Sequence, residues 1–339
     1  MREEDNSKRA RMEILSSLIP FPFDKPVVFF AQDLIHESEE CLGYIEEHGQ
    51  ELCALRLVPR DPNLPKLRMR GSTVREVFKG WFKEQDIDHS LYEAHFIPHP
   101  SDHVWSSICV LNEQEFFGEI IADSHEKLTQ GFYEDIRPIE FHFDFKQWNL
   151  SEENSGALDE LQKIISFLKV SDPELREKIK KMLDASFTEN YLQGYFETTT
   201  SSQYGLWFID YNRILPSLYR ETFQRVEKND ETKDKIKGRI GSPGIARGRV
   251  KIIQQDKVTE SNLSADEILV CDMTSPAYVP LMKQCAGIIT DRGGVLTHAA
   301  IISRELGKPC LVGTFTASKQ LRNGQIIELN ADLGYARIL

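Results

Sequence analysis

The 339-residue sequence predicts a mixed α/β (α+β) protein built as two bodies. Three observations lead there. Short runs rich in β-branched and aromatic residues recur before position 220, a strongly periodic helical stretch interrupts them, and the texture changes after position 239 to β-runs punctuated by Gly and Pro. Between the two textures, RETFQRVEKNDETKDKIKGR at 220–239 is almost wholly polar with alternating charge, which suits a solvated helix or linker. The expected division is 1–219, a charged linker at 220–236, and 237–339.

Taken in order, strands are expected at 27–31, 52–58, 94–98, 104–111, 116–122 and 206–210. Leu161, Ile164, Ile165 and Leu168 recur at three- and four-residue steps, so 159–170 forms a helix with one apolar face. Ser171-Asp172-Pro173-Glu174 starts a second helix, with a capping side chain, a proline whose missing N–H is no loss there, and an acid facing the helix dipole. After the linker, RVKII and EILVCDM give further strands, and a helix over 299–306 ends at Gly307 and Pro309.

Composition narrows the function. Forty-one Lys and Arg against 53 Asp and Glu leave a net charge of −12, so the chain lacks the broad cationic surface that binds nucleic acid or anionic lipid. No apolar run approaches the ~20 residues that span a bilayer, and the amino terminus mixes acids and bases instead of presenting the apolar core of a secretory signal. The six cysteines are scattered without a CxxC pair, which points to reduced thiols in the cytoplasm.

One segment carries chemistry. In DRGGVLTHAAIISRELGKP, at 291–309, Gly293 and Gly294 make a turn, Thr297 stands where it can cap a helix, and His298 falls in the first helical turn. Unpaired amides and the helix dipole favour an anion there, so a phosphoryl group on the imidazole is stabilised where it forms. The same field disfavours the protonated ring and keeps a nitrogen lone pair available, as a nucleophilic histidine requires. His298, with Thr297 and Gly294 of the same motif, is the candidate catalytic set. A histidine that merely begins a helix is the competing reading.

The wider wording favours the first. GSPGIARGRV at 241–250, ILVCDMTSP at 268–276, GIIT at 287–290 and GGVLTHAAIISRELGKPCLVG at 293–313 together closely resemble the swivelling phosphohistidine domain of the PEP-utilising enzymes: phosphoenolpyruvate synthase, pyruvate phosphate dikinase and rifampin phosphotransferase. The resemblance covers nearly all of 237–339 and implies a β/β/α body that pivots to carry phosphate, with His298 as the phosphorylated residue. Plant pyruvate phosphate dikinases carry a regulatory threonine two places before that histidine, and Leu296 stands there in this chain.

The first region resembles, over 27–215 and discontinuously, an ATP-grasp domain with a shortened first lobe and without the usual lysines and long glycine-rich loop. On that resemblance LYEAHFIP at 91–98 is the hinge beside adenine and ribose, with Glu93 a ribose ligand and Ala94 and Phe96 offering backbone groups. GLWFIDYNR at 205–213 resembles the last strand, where an acid and an asparagine hold magnesium. Strand alternation puts Asp210 and Asn212 on one side, away from Ile209 and Tyr211, and paired oxygen donors suit Mg2+. Arg213 is offered for phosphate charge, and Glu119, sharing a face with Ile121, for metal or nucleotide. A salt-bridged glutamate inside a sheet is an equal reading of Glu119. Arg56 and Arg70, the latter in a small-residue loop RMRGST at 68–73, are the candidate triphosphate contacts.

The resemblance implies an ATP-dependent, dikinase-like phosphotransferase using ATP and Mg2+. ATP gives its pyrophosphoryl unit to His298 and releases AMP; loss of phosphate leaves phosphohistidine for a small-molecule acceptor or a separate acceptor subunit. A barrel of roughly 250 residues for pyruvate has no room in this sequence, so the chain alone is not expected to make phosphoenolpyruvate. The alternatives are a phosphohistidine module loaded by another protein, and a degenerate ATP sensor.

Overall fold

The computed structural model describes residues 7–61, 63–130, 136–219 and 235–339, arranged around three main sheets. The expected linker lies mostly at 220–234, outside the described residues. Its expected end does not behave as a linker: Lys235–Lys237 is a strand paired with Tyr335–Ile338.

The first sheet is antiparallel, in the order Val27–Phe30, Tyr92–Pro98, Leu52–Pro59, Leu67–Thr73. One face carries Phe29, Leu55, Leu57, Ala94 and Phe96 into a core with Leu34, Ile45, Val77 and Phe82 from flanking helices. Because side chains alternate, the other face is polar. His95, Arg56 and Arg68 stand in one cross-strand row on it, and Arg70 lies opposite Ala54 in the next row. The expected loop at 68–73 is thus a strand, with Gly71 alone adopting the positive φ of a turn.

A six-stranded antiparallel sheet follows, in the order Gly205–Asn212, Gly194–Ser201, Trp105–Leu111, Phe116–Ile121, Ile139–Phe143, Trp148–Leu150. Cys109, Leu111, Phe116, Phe196, Phe208 and Tyr211 on one face pack against Met12 and Leu15 of helix Lys8–Leu18, helix Ser155–Leu168 and helix Pro173–Leu183. The periodic residues Leu161, Ile164, Ile165 and Leu168 are buried as their spacing required. Asn154 and Asp172 cap the two later helices by accepting backbone N–H bonds.

The carboxyl-terminal body is an eight-stranded mixed sheet. Its middle strands, Ile245–Ile252, Glu267–Cys271, Gly287–Thr290 and Cys310–Val312, run parallel. Helices Val279–Gln284 and His298–Leu306 cover one face, and Ala317 and Leu321 cover the other. Parallel strands covered on both sides read as near-continuous apolar runs, which is why EILVC was legible.

Candidate functional site

His298 opens helix His298–Leu306, directly after the loop that leaves the parallel strand Gly287–Thr290. The loop is fastened at its base. Asp291 accepts hydrogen bonds from the Thr314 hydroxyl at 2.9 Å and from Ser318 through both its amide and its hydroxyl. The Thr290 hydroxyl donates to the Arg292 carbonyl at 2.7 Å, and Arg292 Nε lies 2.9 Å from Asp272. Gly293 has φ +101, a conformation L side chains rarely adopt. Gly307, at φ 62 and ψ 34, ends the helix as expected.

Thr297 is the N-cap residue, but its hydroxyl donates to the Gly294 carbonyl at 2.7 Å and makes no cap bond to the helix. The first-turn amides of a nine-residue helix are therefore left without a side-chain acceptor, an arrangement that favours an incoming anion. The Thr274 hydroxyl lies 2.8 Å from His298 Nδ1. With Nδ1–H donating to it, the lone pair sits on Nε2, the other ring nitrogen. Burial lowers the pKa of the half-buried imidazole, so the neutral ring dominates at pH 7. A neutral, oriented ring at an anion-favouring helix start has the properties of a phosphoryl-accepting nucleophile.

The loop does not face solvent. Val295 and Leu296, 3% and 1% exposed, pack with Ile108, Val110, Phe117, Tyr195, Leu215 and Tyr219 on the open face of the six-stranded sheet. The Tyr219 hydroxyl donates to the Val295 carbonyl at 3.0 Å, and Arg304 donates to the Leu218 carbonyl while its guanidinium lies 4.4 Å from the Tyr219 ring. Glu119, fully buried, pairs with Arg239 at 2.5 Å, and the same guanidinium pairs with Glu140. Burial raises the Glu119 pKa and Arg239 opposes that rise. Glu119 also packs against Gly294.

That sheet face carries a row of acids. Asp210, Glu197, Ile108, Glu119 and Glu140 are successive cross-strand partners, so their side chains share a face. Lys8 pairs with Asp210 at 2.7 Å, and His125 Nε2 lies 3.2 Å from Glu197. Burial by itself pushes the Glu197 carboxyl up, but His125, the Tyr195 hydroxyl and Lys8 together draw it well below the usual range. Arg70 feels the charge of Glu126, next to His125, and the His103 ring lies 3.3 Å from the Thr199 hydroxyl. Burial, then the guanidinium of Arg9, pushes the Arg56 pKa down to about 10; Asp24 opposes this, and Arg70 and Arg68 add to it. Among the described residues no carboxylate is within ion-pair distance of Arg56, Arg68 or Arg70.

The other sequence candidates have local partners. Asn212 lies beside Asp210 on the acid face, and its Oδ1 accepts from the amides of Ile214 and Leu215, both at 2.9 Å. Arg213 donates to the Leu183 carbonyl at 2.7 Å and pairs with Asp184. Glu93 lies 3.0 Å from His95, while Ala94 and Phe96 are fully buried in the first core. Thr274, Glu197, His125 and Arg239 join the site although the sequence singled out none of them. Thr274 lies within the motif ILVCDMTSP, and in GYFETTTS the alternation of Tyr195 and Glu197 against Phe196 is the local signal for Glu197.

Among families, "PEP-utilising enzyme, mobile domain" matches residues 263–334. The chain is 44% identical over 115 residues to a probable phosphoenolpyruvate synthase of Archaeoglobus fulgidus, covering 34% of this chain and 15% of that protein. It is 42% identical over 135 residues to the phosphoenolpyruvate synthase of Pyrococcus furiosus, covering 38% and 16%. The chain thus spans about a sixth of the length of the curated relatives it matches. Among solved structures, the macrocyclase MdnC of Microcystis aeruginosa aligns with a TM-score of 0.29 at 10% identity, covering 62% of this chain and 53% of that one. An Enzyme I structure aligns with a TM-score of 0.21 at 24% identity, covering 23% and 32%. No helix among the described residues is long and apolar enough to cross a membrane. The segment that positions His298 lies within residues 263–334, which match the mobile domain of the PEP-utilising enzymes.

Proposed function

We propose that this protein is an ATP-dependent phosphotransferase that loads phosphate onto His298 and passes it to an acceptor. The observation that carries the reading is the Thr274–His298 contact: a neutral imidazole, fixed by a hydrogen bond at Nδ1, begins a helix whose amides have no side-chain cap. The match of residues 263–334 to the PEP-utilising mobile domain, within which His298 falls, supports the reading.

The nucleotide lies between the two sheets. Arg56 and Arg70, with Arg68, receive the phosphates, for which planar guanidinium donors are well suited. Glu93 remains a proposed ribose ligand, with Ala94 and Phe96 offering only backbone groups from their buried strand. Asp210 and Glu197 are direct cross-strand partners on neighbouring strands ~5 Å apart, a donor pair that fits Mg2+, whose shell is usually completed by water and phosphate. Such an ion offsets charge on the phosphates in the transition state. Lys8 and His125 hold that position for the two carboxylates here. Asn212 reaches the same face with its oxygen engaged by backbone amides, and Arg213 is held at Leu183 and Asp184.

His298 Nε2 attacks the β-phosphorus of ATP. The bond from that phosphorus to the oxygen bridging the α-phosphate breaks, and AMP leaves with the electron pair. Water then cleaves the pyrophosphoryl-histidine between its two phosphorus atoms, releasing phosphate and leaving phosphohistidine. The acceptor is a small molecule or a separate subunit. Incubation with magnesium and ATP is expected to yield AMP, phosphate and an acid-labile adduct that His298→Ala abolishes. ATP bound but not consumed makes the protein a sensor. Labelling by another phosphoprotein alone makes it a passive carrier.

A further inference from the structure

Two adjacent glycines precede the histidine, and they answer to different constraints. Gly293 sits at φ +101, so the loop itself requires it. Gly294 is absent from the residues at positive φ, so an L side chain fits its backbone. What forbids a side chain there lies outside its own sheet: the three atoms nearest to a Cβ built at Gly294 all belong to the Glu119 carboxylate, and all would overlap it.

Glu119 has no room to yield. It is 1% exposed, on a central strand, with Arg239 fixed to Oε1. Its other oxygen, Oε2, is buried without a hydrogen-bond partner among the described residues. A buried carboxylate with one orphan oxygen is costly, and Arg239, which relieves it, comes from the edge strand Arg239–Ser242 of the histidine-bearing body. Val295 and Leu296 then fill the apolar surface beside it.

We propose that Glu119 and Arg239 form a docking socket for Gly294, and that position 294 lacks a side chain because the docked histidine loop needs the space. This deepens the phosphotransfer reading and rests on it for one point only: the docked arrangement is the one in which His298 is loaded. Glu119 is a positioning residue in this account. It admits the loop to the sheet face that bears Glu197 two strands away and Asp210 three strands away.

The test reads docking separately from loading. Arg137 lies 5.4 Å from the Phe315 ring across the same interface. All six native cysteines are buried, so an R137C/F315C protein can be bridged by a short bis-maleimide with little background. Gly294→Ala in that protein is expected to lower the cross-linking rate at least tenfold, and adding Glu119→Ala is expected to restore it to within about twofold. Unchanged cross-linking in Gly294→Ala overturns the proposal. So does a loss that Glu119→Ala fails to relieve, because it places the fault in the loop, and so does a parent that never cross-links. Loading from ATP is scored in parallel on the protein without added cysteines. If docking follows the expected pattern while the wild-type chain takes no phosphate from ATP, the loading reading fails and the socket stands.

Discussion

The Thr274 hydroxyl and His298 Nδ1 stand 2.8 Å apart, joining the loop after strand Glu267–Cys271 to the first turn of helix His298–Leu306. One contact fixes both the ring's orientation and, with Nδ1–H as donor, which nitrogen carries the lone pair. Thr274→Val keeps the shape and removes the partner. A hydrogen bond of this kind contributes about 0.5–1.5 kcal/mol, so loading from ATP should slow by roughly two- to thirteenfold, and Thr274→Ser should recover most of it. An unchanged rate in Thr274→Val would show that the bond does not position the ring.

Acid should inhibit loading only below the ordinary imidazole range. Burial lowers the His298 pKa, so the reactive neutral form persists to lower pH than in an exposed histidine. The stability sign follows. The unfolded chain takes up the proton first, so this group's contribution to stability is intact above the unfolded pKa and is lost as pH falls through the folded one. A loading rate that halves at or above the pKa of free imidazole would contradict the assignment.

Asp210→Ala and Glu197→Ala should each abolish loading from ATP while leaving the carboxyl-terminal body folded, since both residues lie on the six-stranded sheet. Circular dichroism and the cross-link described above separate lost chemistry from lost docking. Full loading in Asp210→Ala would remove the pair from the proposed cation site.

Leu296 occupies the place at which the dikinase resemblance offers a regulatory threonine, and its side chain is 1% exposed against Ile108, Phe117 and Tyr219. Truncating a buried leucine to alanine costs about 2 kcal/mol or more. If that cost falls on docking, Leu296→Ala shifts the docking equilibrium roughly thirtyfold and lowers cross-linking accordingly. Thermal unfolding of the carboxyl-terminal body should change little, because the contacts of Leu296 are mainly with the other sheet.

Gly293→Ala should behave unlike Gly294→Ala. At φ +101, and with a new Cβ 2.8 Å from Thr297 Oγ1, it strains the loop itself. A loss of about 1 kcal/mol or more is expected, measured as a lower melting temperature that Glu119→Ala does not relieve.

Local pattern carried most of the secondary structure. The apolar repeat of 161–168, the Asp172-Pro173 start and the Gly307 stop act within one or two turns of helix, and each appears where spacing placed it. The strands Leu67–Thr73 and Gly194–Ser201 were not legible, because arginines, glycines and threonines satisfy a half-polar sheet face without apolar alternation.

By itself the sequence determined that a histidine begins a helix after a two-glycine turn, in wording that resembles the mobile domain of the PEP-utilising enzymes, because helix starts and motif spacing are properties of neighbours in the chain. Only the tertiary structure decided that Thr274 holds the ring, that Glu197 stands beside Asp210, and that Glu119 meets Arg239 and Gly294. Those contacts join residues 13 to 175 positions apart, and they depend on strand order and on which face of a sheet is left open for a second body. No local spacing encodes either.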